Sequence, residues 1–108
     1  MYNEDKFCVT LDVNANIIDF GGKASSISGF SASDVLGKNW FEVFIPEKDL
    51  DGILTVFKGF LNGDLSFWEH KNEITCKDGS KCLIQWKNTL RRDPDNNPIA
   101  VYSEGSLV

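Results

Sequence analysis

Two runs of strict alternation, separated by Lys77-Asp78-Gly79-Ser80, occupy the chain from Phe67 to Arg92 and constrain its fold more than any other stretch. Trp68, His70, Asn72, Ile74 and Cys76 share one parity, while Glu69, Lys71, Glu73, Thr75 and Lys77 share the other. A period of two places the sets on opposite faces of a strand, and the charged set is the one that faces water. Beyond the turn, Cys82, Ile84, Trp86, Asn88 and Leu90 alternate with Lys81, Leu83, Gln85, Lys87, Thr89 and Arg91. Paired residues of an antiparallel hairpin lie on one face, so joining the Cys76 set to the Cys82 set requires an odd number of loop residues. The expectation is a three- or five-residue loop with Gly79 in a left-handed conformation.

The remaining strands are shorter. Phe7, Val9 and Leu11 alternate with Cys8, Thr10 and Asp12, the period of a half-buried strand. Asn14-Ala15-Asn16 forms a turn, Ile17 to Phe20 a second strand paired with the first, and Ile99 to Ser103 a last strand after the turn from Arg92 to Pro98. Lys23 to Ser28 supports a short irregular helix. From Glu47 to about Asn62, Leu50, Ile53, Leu54, Phe57, Phe60 and Leu61 recur at three- and four-residue spacing and make one apolar helical stripe. Gly52 and Gly59 each cost this helix roughly 1 kcal/mol against Ala, so packing must hold it, and Asn62-Gly63-Asp64 ends it.

Between these elements, Gly29 to Pro46 predicts two short helices broken by glycine. Ser31 and Asp34 have capping-box spacing, and Gly37 stands where a left-handed C-terminal residue is wanted. Trp40, Phe41, Val43, Phe44 and Ile45 form a cluster that needs an apolar bed, and Pro46 suits the first position of a new helix.

Gly29-Phe30-Ser31, Asp34, Gly37-Lys38-Asn39-Trp40, Pro46, Lys77-Asp78-Gly79-Ser80 and Ile84-x-Trp86, in this order and spacing, resemble the PAS domain family over nearly the whole chain. The resemblance implies an α+β fold, a five-stranded antiparallel sheet with short helices and one longer helix packed over one face, often with a small-molecule pocket between them. Two departures stand out. Family members commonly carry Asn where Gly21 stands, and many close with Gly and then Asp-Ile-Thr, whereas this chain has Gly105-Ser106-Leu107-Val108. The missing triad suggests a single PAS-like domain, residues 1–108, excised from a larger signalling protein such as a histidine kinase of a two-component system.

Composition narrows the function. At 108 residues with 42% hydrophobic and 25% charged side chains, the chain is a single globular domain. A net charge of -5 gives no footprint for nucleic acid or an anionic membrane surface. No apolar run has the length of a membrane span, and Met1 to Lys6 lacks the pattern of a signal peptide, so a cytoplasmic location is expected. Three cysteines, Cys8, Cys76 and Cys82, fit neither a disulfide framework nor a zinc site and are expected to be reduced core residues.

His70 is the only histidine. With Asn72 it forms either the polar contact of an apolar ligand pocket or a harmless pair at the end of the sheet. The aromatics either line a cavity or fill it, and close packing favours filling. The residues chosen as candidate ligand contacts are Phe44, Phe57, Trp68, His70, Asn72, Trp86 and Asn88, with His70 and Asn72 as polar anchors. Family haem ligands come from the long helix, which has no histidine here. In the photosensory LOV branch a cysteine follows Gly-x-Asn, where this chain has Trp40, and the flavin asparagines align with Ile74 and Ile84. The resemblance therefore implies no covalent flavin adduct and no haem, and leaves the cofactor open. It further implies a sensory module, not itself an enzyme, that binds a small ligand or relays a signal as a homodimer to an effector domain. A ligand-free interaction module, with Leu83 on the outer sheet face, is the alternative, and an enzyme using His70 as base is the least supported.

Overall fold

The computed structural model describes residues 3–64, 66 and 68–108. Met1, Tyr2 and Phe67, which entered the N-terminal and strand expectations, lie outside the described residues. Five strands, β1 (Phe7–Asp12), β2 (Ile17–Gly22), β3 (Glu69–Thr75), β4 (Lys81–Arg92) and β5 (Pro98–Leu107), form one antiparallel sheet in the order β2-β1-β5-β4-β3. Between β2 and β3 run α1 (Ala24–Ser28), α2 (Ala32–Val35), α3 (Trp40–Phe44), a 3-10 turn at Glu47–Asp49 and α4 (Leu50–Leu61).

The β3–β4 hairpin has the predicted parity. His70 pairs with Trp86, Asn72 with Ile84 and Ile74 with Cys82. The Cys76 N–H donates to the Ser80 carbonyl at 2.8 Å, which leaves a three-residue loop, Lys77-Asp78-Gly79, with Gly79 at φ +88°. Asp78 closes it by accepting from the Ser80 N–H at 2.9 Å.

The layer over the sheet is held by local caps and one aromatic hub. The Asp34 carboxylate accepts from the Ser31 N–H at 3.0 Å, and Gly37 turns left-handed at φ +84°. The Asn39 side chain caps α3 by accepting from the Phe41 N–H at 2.9 Å, and its amide donates to the Asn14 carbonyl at 3.1 Å. This pins α3 to the β1–β2 turn. Phe7 meets Phe20, Trp40, Phe44 and Trp86 edge-on at 5.2–6.2 Å, so α3 and both halves of the sheet share one ring. Here the aromatics fill the interior.

Four details differ from the sequence expectations. β1 is buried on both faces, because Cys8 lies under the N-terminal turn, 3.3 Å from the Asn3 carbonyl, and Thr10 sits between Asp19 and Tyr102 in the ladder. Pro46 does not start the helix: its ψ of 140° is extended, and its carbonyl accepts from Asp49 to open the 3-10 turn, so α4 proper begins at Leu50. β2 runs on to Gly22, and β5 runs on to Leu107, past the Ser103 expected as its end. Gly105 continues the strand because it faces Trp86 on β4 and Phe7 on β1 and must stay bare to clear the indole.

Candidate functional site

One side of this packing is incomplete. Of the stripe on α4 only Phe60 is buried, while Leu50, Ile53, Leu54 and Phe57 are half-buried. A cavity of about 70 Å3 lies beneath them. Its roof is Ile53, Val56, Phe57 and Phe60 of α4, and α3 adds Trp40 and Phe41. Its floor is the inner sheet face, with Val9 and Leu11 from β1, Val101 and Ser103 from β5, Trp86 and Asn88 from β4, and His70 and Asn72 from β3. The hydrophobic wall is thus interrupted by four polar side chains, all from the three strands at one side of the sheet.

Strand alternation sets that polar group. Asn88 faces Ser103 in the β4–β5 ladder and accepts its hydroxyl hydrogen at 2.7 Å. The Asn72 amide donates to the Glu73 carbonyl at 2.9 Å. His70 is different: its Nε2 is buried with no hydrogen-bond partner. Burial also holds the imidazole pKa below its ordinary value, because the charged ring would lose water that nothing replaces. A neutral ring with an unfilled nitrogen at an apolar cavity suits a ligand carrying one polar group.

Five of the seven candidate contacts, Phe57, His70, Asn72, Trp86 and Asn88, line the cavity together. Phe44 does not. It is fully buried in the aromatic core, 4.4 Å from Trp40 between ring centroids. Trp68 does not either: it has the inward parity, but it precedes β3 at the edge of the sheet and is 51% exposed. Parity names a face, and only an opposing layer covers it. Ser103 and Val56 belong to the lining and went unnoticed in the sequence. Carrying the β5 alternation through to Gly105 would have found Ser103.

The positions that the LOV branch devotes to flavin are apolar here. Trp40 is buried against Phe44, and Ile74 and Ile84 are fully buried. These residues do not fit a flavin held in the manner of that branch.

Comparison with known proteins agrees with the architecture. The PAS domain of the RpfR quorum-sensing receptor of Cronobacter turicensis, in complex with BDSF, aligns with a TM-score of 0.76 at 19% identity, covering 100% of this chain and 98% of that one. Cycle PAS-B of Drosophila melanogaster with bound ethylene glycol gives 0.79 at 17% identity, covering 94% and 99%. A PAS domain from Colwellia psychrerythraea gives 0.81 at 15% identity, covering 95% and 86%. No curated protein matches the chain significantly. A family model described as PAS fold matches residues 17–103, from the first residue of β2 to the cavity serine of β5, and the chain belongs to the PAS family.

Proposed function

We propose that the chain is the sensory domain of a cytoplasmic signalling protein and is not itself an enzyme. Its ligand is a small molecule of mixed polarity held between α4 and the sheet. The observation that carries this is the buried Nε2 of His70, unpartnered in the floor of a mainly apolar cavity. Leaving such a group unsatisfied costs about 1–3 kcal/mol, which a ligand hydroxyl, carbonyl or carboxyl would offset. BDSF in the RpfR domain and ethylene glycol in Cycle PAS-B support a small-molecule ligand for a domain of this fold. At about 70 Å3 the cavity is smaller than the roughly 150 Å3 that receives benzene, so it takes a molecule of a few heavy atoms, or a larger one if α4 lifts.

The signal is a population shift. A ligand that prefers one seating of α4 biases the sheet, and β5, which contributes Val101 and Ser103 to the floor, passes the bias to an effector domain. Native mass spectrometry on gently purified protein tests this against the 12.1 kDa of the bare chain. Excess mass that disappears on denaturation, and in His70→Leu, is expected. A bare mass, joined to no thermal shift from any small alcohol or carboxylic acid, would sink the ligand.

A second arrangement, a dimerisation module with a filled core, is favoured by Leu83 and Val108. They lie side by side at the outer face, 40% and 69% exposed, with the Val108 N–H on the Leu83 carbonyl. Light scattering on Leu83→Glu decides it: a dimer that becomes a monomer supports this contact.

A further inference from the structure

The three thiols are expected to be reduced core residues, and two of them touch. Cys76 directly follows β3 and Cys82 is the second residue of β4, and their Sγ atoms are 3.4 Å apart. Cys82 is half-buried, and Cys76 is buried at 7% exposure. Cys8, the third, is fully buried within β1.

We propose that Cys76 and Cys82 are a two-electron redox site, in which a hydroperoxide converts the paired thiols into a disulfide across the β3–β4 hairpin. The more accessible Cys82, as thiolate, attacks a peroxide oxygen. The O–O bond breaks, hydroxide leaves and is protonated to water, and Cys82 becomes a sulfenic acid. Cys76 then loses its proton and attacks Cys82 Sγ. The S–O bond breaks and the departing hydroxide takes up that proton as a second water. Two thiols and one hydrogen peroxide give one disulfide and two waters, the sulfurs losing two electrons and the peroxide oxygens gaining them. Burial pushes the Cys76 thiol pKa up, helped by the hydrogen bond with Cys82, so the second step quickens as pH rises.

Closing 3.4 Å to the roughly 2.05 Å of a disulfide moves the turn. That turn touches the C-terminal end of α1. Cys76 Sγ lies 3.5 Å from the Ile27 carbonyl, the Lys77 N–H donates to the Ser28 carbonyl at 2.8 Å, and Lys77 Nζ reaches Asp34 at 3.4 Å. A bond that has to pull on these contacts is of the readily reduced, regulatory kind. Oxidation would therefore reach α1 and α2 without any ligand in the cavity.

The test is hydrogen peroxide on the folded protein, followed by alkylation, trypsin and mass spectrometry. Lys77 and Lys81 lie between the two cysteines, so an intrachain disulfide leaves peptides 72–77 and 82–87 joined, and a reductant separates them. One such linked pair per monomeric chain is expected, forming faster at higher pH and persisting in Cys8→Ser. A shifted Lys77 amide resonance should accompany it. In Cys82→Ser the link should vanish. If Cys76→Ser folds, a sulfenic acid should be trapped on Cys82 by dimedone. The proposal is overturned by three free thiols after exposure, by sulfinic acid on Cys82 beside an unmodified Cys76, or by a link found only between chains or only in urea.

Discussion

Gly105 stands directly opposite Trp86 in the β4–β5 ladder, and a Cβ on that glycine would lie 2.7 Å from Cζ3 of the indole and 2.6 Å from Cγ2 of Ile84. Trp86 is also a wall of the cavity and an edge partner of Phe7. Gly105→Ala should therefore destabilise the fold by about 1–3 kcal/mol, as overpacking does. In a domain of this size each kcal/mol is worth roughly 4–8 °C in a thermal melt, which is the measurement to make.

Gly52→Ala should act in the opposite sense. Gly52 is exposed on α4, with ordinary helical backbone and nothing within 4 Å of an added Cβ. The substitution should stabilise by about 1 kcal/mol through helix propensity. Urea denaturation should show a raised midpoint with an unchanged slope.

Phe44→Ala and Phe57→Ala separate core from cavity. Phe44 is fully buried, and its loss should cost about 3–5 kcal/mol. Phe57 is half-buried over the cavity, and its loss should cost about 1–2 kcal/mol while enlarging the space available to a ligand. A larger unfolding loss at Phe57 than at Phe44 would contradict this assignment.

His70 gives a pH signature. Its folded pKa lies below the ordinary 6.5, so the unfolded chain binds the proton more readily. The native state keeps its full stability above that value and loses some as pH falls from there through the folded pKa. Denaturation midpoints taken about one unit above and one unit below the ordinary imidazole value should differ in the parent and differ less in His70→Gln.

Asn39→Ala removes the α3 cap and the bond to the Asn14 carbonyl together. The expected cost is about 1–2 kcal/mol in equilibrium unfolding. Because the cap fixes the position of Trp40 and Phe41, ligand occupancy should fall as well.

What could be read from the sequence was whatever depends on neighbours along the chain. The alternation around Lys77-Asp78-Gly79 dictates the hairpin face and an odd loop of three or five residues, and the spacing from Leu50 to Leu61 dictates a helix with one apolar stripe. The Ser31–Asp34 contact and the left-handed Gly37 are equally local. Lost were the features decided by what lies on top. Trp68 has the parity of a pocket residue but no layer above it. Phe44 has the composition of one but sits where α3 meets Phe7. Thr10 alternates like a solvent-facing residue, yet it is buried between Asp19 and Tyr102 in the ladder. The pairing of Cys76 with Cys82 was present in the same-face sets, yet a count of cysteines conceals it.

The strand order has a kinetic side. Among the described residues β5 is the last strand in sequence and the central one in the sheet, and it alone joins the β1–β2 pair to the β3–β4 pair. Until residues 98–107 are in place, the two hairpins have no ladder between them, and the edges of β1 and β4 that β5 covers stay unpaired. Closure demands contacts between the ends of the chain, such as Phe7 with Gly105, at the greatest loop-entropy cost the fold contains. Growth of a nascent chain thus leaves the sheet in two pieces until β5 emerges.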